Sequence, residues 1–354
     1  MTFQLSFVTE EAALMQELPP PRGEMSAALL AALRNEAGRL GPIDVPDPAD
    51  ALADEDLQLA LYCCYELHYR GLPGVDERWE WSPSLLELRS LLEERFEHAL
   101  NEAVAAPNSD GDVDWSEIDI ALRSIADDDE APSLSQHLDR DGTLEQLCEF
   151  LIHRSAYQLK EADPHSWALP RLSGRPKAAL VEIQADEYGG GRPERMHARL
   201  FADAMDAFGL DSHYGSYIER LPAVTLATVN LMSLFGLHRR RRGAIVGHLA
   251  LFEMTSSVPN RRYASAARRL GPDDPRATEF FEEHVEADAV HESVAAVDLA
   301  GGLARDEPGL TADILFGARA VVALDGLWSA ALLDAWDKGD TALLSTQEVA
   351  GVVT

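Results

Sequence analysis

Positive charge, cysteine and long apolar runs are all scarce in this 354-residue chain. Its 30 Lys and Arg stand against 61 Asp and Glu, a formal net charge of -31. Such a chain offers no basic face to a phosphate backbone and is repelled by anionic lipid, so neither nucleic acid nor a membrane is an expected partner. No apolar run approaches the ~20 residues of a membrane span. The opening MTFQLSFVTEEAALMQELPPPRG lacks a basic n-region and carries acids where a signal peptide needs an apolar stretch. The three cysteines, Cys63, Cys64 and Cys148, form no CxxC. Neighbours on a helix point about 100° apart, so Cys63 and Cys64 do not easily bridge. A reduced, cytoplasmic protein is expected. GxxxxGK[ST], HExxH and GxSxG are also missing, and Gly189-Gly190-Gly191 has neither the spacing nor the preceding strand of a dinucleotide fingerprint.

What is present is helical periodicity. Residues 1–105 read as an acidic helical region, with helices expected over Met25–Leu40, Asp54–Arg70 and Pro83–Ala105. Residues 1–130 hold 29 acidic against 8 basic residues, so most of the excess charge sits in the first third. Residues 106–135 read as a linker, with a short helix near Trp115–Ile125 and the acidic run Asp127-Asp128-Asp129-Glu130. Asp110-Gly111-Asp112-Val113-Asp114 resembles the start of a calcium loop, but Trp115 stands where the turn needs Gly and Ala121 where a bidentate Glu is needed. Residues 136–340 form the main domain and 341–354 a tail. Its helices are expected over Leu144–Glu161, Pro176–Tyr188, Glu194–Phe208, Leu221–Leu237, Gly243–Ser257, Arg261–Leu270, Arg276–Leu303 and Thr311–Ala335. No train of alternating β-branched residues appears, so the fold class is all-α.

The segment FEEHVEADAVH, Phe281–His291, carries the sharpest chemical signal. His284, Asp288 and His291 fall at i, i+4 and i+7, in directions of about 0°, +40° and -20°. Two imidazoles and a carboxylate on one stripe make a half-site for iron, manganese or zinc. Partners must come from other helices. In ADEYGGGRPERMH, three glycines and a proline break the helix, so Glu187 and His197 can aim at one point. Glu194 competes with Glu187, because Glu194 and His197 are themselves an i, i+3 pair. Glu253, in GHLALFEM, is a carboxylate in an apolar helix, and burying it unpartnered is costly. Glu161, in YQLKEADP, stands where Pro164 stops a helix.

In this order Glu161, Glu187, His197, Glu253, His284, Asp288 and His291 resemble the haem-oxygenase-like di-iron oxidases and oxygenases, a family of iron-containing redox enzymes. The likeness runs from Leu144 to Trp336, more weakly through the N-terminal helices, and YQLKEADPHSWALPRLSGRPKAALVEIQADEYGGGRPERMHARLFADAM is close in style to the bacterial members. The resemblance implies a haem-oxygenase-like bundle of about seven core helices with an acidic N-terminal extension. It implies two Fe(II)/Fe(III) ions held by Glu187, His197, Glu253, His284, Asp288 and His291, with Glu161 as the extra carboxylate of N-oxygenating members, and it favours Glu187 over Glu194. It further implies O2 as co-substrate, a peroxo-bridged diferric species, and oxygenation of an amine on a small metabolite. The alternative within the class is C–C or C–H oxidation of an amino acid or fatty acid. Outside it stand an acidic helical binding protein without catalysis and a haem-handling protein. No flavin or nicotinamide motif is visible, so an external electron donor is expected, as is a homodimer.

Other features read more plainly. Gly243 and Gly247 form a GxxxG, the mark of close helix packing. His248 lies about 140° around its helix from Glu253 and reads as a packed histidine, like His68 and His165. Arg239-Arg240-Arg241-Arg242 reads as a solvated turn with favourable helix-end charge. Cys148 has no evident base partner and reads as core. Tyr188, beside Glu187, could hydrogen-bond a ligand.

Overall fold

The computed structural model describes residues 18–104, 106–128 and 131–345, apart from the side chains of Asn108, Asp288, Ala289 and Val290. The opening segment through residue 17, Asp129-Glu130 of the acidic run, the tail beyond residue 345 and the Asp288 side chain lie outside the described residues.

The N-terminal region contributes α1 (Glu24–Leu33), α2 (Glu55–Glu66) and α3 (Pro83–Val104). Next come α4 (Ile118–Asp127), α5 (Leu134–Arg140), α6 (Leu144–Gln158), α7 (Asp163–Ser166), α8 (Gly174–Glu187) and α9 (His197–Ala207). The remainder is α10 (Ala223–Leu237), α11 (Arg242–Thr255), α12 (Ser257–Leu270), α13 (Arg276–Ser293), α14 (Gly302–Asp306) and α15 (Thr311–Asp337). Among the described residues there is no strand. The all-α reading stands.

Several expected helices end early, for local reasons. α1 stops at Leu33 rather than Leu40, because the Asn35 amide donates to the Ala31 carbonyl at 2.8 Å and closes the helix end. The helix expected from Glu194 begins at His197, since Pro193–Arg195 form a separate 3-10 turn and Met196 is extended. The single helix expected over Arg276–Leu303 is interrupted: α13 passes into a π-helical stretch, Val294–Gly301, before α14.

α11 packs lengthwise on α15, with α10 beside both. The glycines make this approach possible. A Cβ on Gly247 would run into the Ile314 carbonyl of α15, and one on Gly317 into the Ala244 carbonyl of α11. The GxxxG is therefore a helix-packing device. α12 pairs with α13, α13 with α9, and α8 with the π-helical stretch, closing the bundle around the inward faces of α6, α8, α9, α11 and α13.

α15 is long and apolar enough to cross a membrane, which the count of apolar runs in the sequence did not anticipate. Half of its most apolar window is buried inside the protein, as a core helix requires. The N-terminal helices share the main hydrophobic core: Leu57, Leu61, Leu92 and Phe96 belong to one buried cluster with Leu226, Leu249 and Leu315.

Candidate metal centre

Six of the seven residues named from the sequence meet in the interior. Glu161, Glu187, His197, Glu253, His284 and His291 are all buried. Their donor atoms fall into two groups, each lying within 4.8 Å of one another: Glu161, Glu187, His197 and His284 in one, Glu187, Glu253 and His291 in the other. Glu187 belongs to both.

Each side chain is delivered by a local feature of the chain. Glu187 ends α8, where Gly189, Gly190 and Gly191 take positive φ and turn the backbone toward His197 at the start of α9. Gly189 is required there, because a Cβ would press on the backbone of Arg195 and Met196. Glu161 follows the end of α6 in a tight turn in which Ala162 adopts φ 74°, a left-handed conformation unusual for a residue with a Cβ. The Gln184 amide of α8 donates to the Ala162 carbonyl at 2.7 Å and holds that turn. Glu253 lies on α11 and His284 and His291 on α13.

His284 and His291 share a stripe but stand in different groups, and the Asp288 side chain lies outside the described residues. Seven residues climb about 10 Å along a helix, so His284 reaches the first group and His291 the second. Glu194 is exposed and stands in neither group.

Hydrogen bonds fix the imidazoles. The His284 Nδ1–H donates to the Phe280 carbonyl at 2.8 Å, which leaves Nε2 facing Glu161 Oε1 at 3.5 Å. His291 donates from Nε2 to Asp186 Oδ2 at 3.0 Å, leaving Nδ1 toward Glu253 Oε2 at 3.3 Å. A carboxylate behind a histidine in this way orients the ring and raises its basicity. Asp186 was missed by the sequence reading. Its one signal is its place beside Glu187, and it is largely exposed, like any solvated acid.

The electrostatics are those of a site that expects positive charge. Burial by itself would raise Glu187, but the imidazoles of His197, His284 and His291 outweigh it and hold its carboxyl below the usual range. Burial would lower His291, yet Glu253 and Asp186 overcome it and raise the imidazole to about 9. His197 is likewise raised against burial by Glu187. By contrast, burial pushes His165 down to about 4 and His248 well below the ordinary histidine range. That pair, Nε2 to Nδ1 at 3.1 Å, is neutral and packed beside the site. Tyr188 hydrogen-bonds Ser166 and Asp163, not a residue of the two groups.

The donors also fit a metal by what they lack. Glu161 Oε2, Glu187 Oε2 and His197 Nδ1 are buried without a hydrogen-bond partner among the described residues. His197 Nδ1 and Glu187 Oε2 are 3.0 Å apart yet misaligned for a hydrogen bond. With the Glu161 and His284 donors within 4.8 Å, these atoms could serve as ligands of one ion. Carboxylates with imidazoles suit iron and its divalent neighbours.

A family model described as "Iron-containing redox enzyme" matches residues 148–326. The chain belongs to this family. No curated protein matches it. The matched span of this iron-containing redox enzyme holds all six clustered residues and also Asp288. A cavity of about 410 Å³ opens onto Glu161, Glu187, Glu253 and His284, walled by Phe150, Phe201, Phe252, Phe280 and Phe281.

Proposed function

We propose that this protein is a non-haem di-iron oxygenase that transfers oxygen from O2 to the amine of a small metabolite. The observation that carries the reading is the double membership of Glu187, which makes two adjacent ligand groups with one carboxylate in common. Bound there, a pair of irons supplies the electrons and open positions through which O2 is activated. Glu187, common to both groups, would help to hold the pair. His197, His284, Glu161, His291 and Glu253 would complete the two ligand sets, with Asp288 as the seventh ligand implied by the family resemblance. Asp186 and the Phe280 carbonyl hold His291 and His284 in the tautomers that leave one ring nitrogen for a metal. The phenylalanine wall excludes water from the reacting end of a substrate. Glu161 is the extra carboxylate expected of N-oxygenating relatives, and it stands within the first group. In the reaction one oxygen atom enters an N–O bond and the other leaves as water, with two electrons and two protons from outside the chain.

The aromatic wall beside His284 favours one second reading, oxidation of a C–H or C–C bond on an apolar carbon. Anaerobic Fe(II) loading followed by O2 tests both. Two irons per chain, and loss of iron in His284→Ala and Glu253→Ala, are expected. Undiminished iron in both variants would reject the assignment. Hydroxylamine or nitro products identify the first reaction, and carbonyl or alkene products the second.

A further inference from the structure

Exposed apolar surface is concentrated over the second ligand group. Nine large apolar side chains are exposed among the described residues, and four of them, Trp115, Ile120, Val181 and Val297, stand on elements that pack together. Val297 lies in the π-helical stretch. α8, which carries Val181, packs along that stretch, and so do α4, which carries Ile120, and the 3-10 turn Trp115–Glu117. Between α4 and the π-helical stretch runs a groove of about 590 Å³. Met254 and Glu292 line it, and they are the chain neighbours of Glu253 and His291. The backbone that carries the second group is therefore also a wall of the groove. Large apolar side chains gathered on a surface in this way mark an interaction site.

A hydrogen bond connects this face to the interior. The Asp186 side chain, also on α8, is 63% exposed, and its Oδ2 accepts from His291 Nε2 at 3.0 Å. The other nitrogen of that imidazole, Nδ1, looks toward Glu253 in the second group. One hydrogen bond and one ring thus separate solvent from the ligand atoms. His284 has no such exit, since its Nδ1 bonds the carbonyl of buried Phe280. Electrons cross bonded and hydrogen-bonded atoms more readily than gaps, so Asp186 marks a point of entry. The charge of the face selects what brings them. Arg123 is paired with Glu292 and Arg175 with Asp298. Asp119, Asp127 and Glu182 have no base beside them among the described residues, and Lys177 is the one base on these elements without an acid. The free charge is therefore negative and calls for a positive partner. Two copies of this chain meeting through the face would set those acids against one another.

We propose that the face formed by α4, α8 and the π-helical stretch docks a one-electron carrier protein whose redox group is ringed by basic side chains, and that Asp186 and His291 conduct its electron inward. An apolar centre inside a rim of complementary charge is the general anatomy of such contacts. Each docked carrier is oxidised by one electron, and two dockings per turnover supply the two electrons that the oxygenation consumes. The inference rests on the preceding functional reading only for what the electrons do, since the face is complete whether or not metal is present.

Calorimetric titration of the full-length, metal-free protein with a basic c-type cytochrome, at low and at high salt, tests this. Binding is expected at low salt and should fade as salt screens the rim. Ile120→Lys and Val297→Lys, both at exposed positions, should each weaken it about tenfold or more. Leu91→Lys adds the same charge at an exposed position on α3, which packs on α2 and α15, and should change affinity less than about twofold. Glu182→Lys, on the exposed side of α8, decides the matter if neither face variant folds. No binding at low salt, equal weakening by Leu91→Lys, or tighter binding of an acidic ferredoxin would overturn the proposal. So would a dimer that Val297→Lys dissociates, because a second copy then covers the face. At saturating iron, Asp186→Asn should slow oxidation of the reduced cytochrome by a larger factor than it lowers affinity, and equal factors would remove Asp186 from the path. Fe(II) titration of the same preparations separates the two readings. Docking without iron uptake removes the metal centre and leaves the face, and iron uptake without docking does the reverse.

Discussion

At the scale of single residues, His291 shows how a metal site stores its own pH dependence. In the metal-free protein Glu253 and Asp186 raise it to about 9 against the pull of burial. Its folded pKa thus exceeds its ordinary value of 6.5. The stabilisation is full below about pH 6.5 and is lost as pH rises through about 9, because the folded state must then give up a proton that the unfolded state has already released. The metal-free melting temperature should fall across that window, and His291→Gln should flatten the fall. Metal must displace the same proton. Zn(II) or Fe(II) titrated into weakly buffered protein at pH 7 should therefore release acid, and apparent affinity should climb with pH. Asp186 acts one step behind. Because its carboxylate is mostly exposed, Asp186→Asn should leave the fold intact while lowering metal affinity about 10–100-fold, the usual effect of removing a carboxylate behind a metal-binding histidine. Wild-type affinity in that variant would show that Asp186 does not orient the ring.

At the scale of elements, the centre depends on helices held closer than ordinary side chains allow. Gly247 lets α11 rest on the Ile314 carbonyl of α15, and Glu253 rides on α11 less than two turns away. Gly247→Val should destabilise the protein by roughly 1–3 kcal/mol, as overpacking does, and should weaken metal binding along with it. Unchanged melting would mean that the two helices part at little cost. A second junction ties the N-terminal region to the end of α6. Lys160 is buried, with Nζ 2.8 Å from Glu66 Oε2 on α2 and 4.2 Å from the Tyr69 ring, and Tyr214 donates its hydroxyl to Glu66 Oε1 at 2.5 Å. Glu66→Gln strands a buried ammonium and should lower stability by roughly 3–5 kcal/mol, visible in a denaturant midpoint. Lys160 adjoins Glu161, so this pair also steadies the turn that presents a candidate ligand.

At the scale of the whole molecule, the interior gathers like charges that imidazoles balance and that a bound metal would balance further. Glu161, Glu187 and Glu253 converge in one interior, each beside an imidazole, and a buried carboxylate needs such a counter-charge. A divalent ion binding only the folded state adds stability as RT ln(1 + [L]/Kd), about 2.7 kcal/mol at a hundredfold excess over Kd. Anaerobic Fe(II) should raise the melting temperature, and a chelator should reverse the rise. The N-terminal helices share the bundle's core and bond to it: the Asn230 amide donates to Gln58 Oε1 at 2.8 Å and Arg22 pairs with Glu55 at 2.7 Å. Most of their acids lie exposed or half-buried around an apolar inner face, while Glu66 and Glu93 are buried.

Helical character was legible in the chain because apolar spacing is a local property; the glycine break after Glu187 and the apolar setting of Glu253 marked two of the carboxylates, whereas α6 ends at Gln158, before Glu161, and Pro164 lies in the first turn of α7 rather than stopping a helix. The triplet on α13 was visible for the same reason, but its division between two ligand groups was not. Periodicity gives direction around a helix, whereas membership of a group depends on height along it and on what stands opposite. The bond from His291 to Asp186, the positive φ of Ala162 and the pairing of Arg154 with Asp325 had no pattern of their own in the chain, since each involves a neighbour tens or hundreds of residues away. Sequence alone determined which residues could bind metal. Only tertiary packing decided that Glu187 stands between two groups, because that position is a meeting of α8, α9, α11 and α13 rather than a property of any one of them.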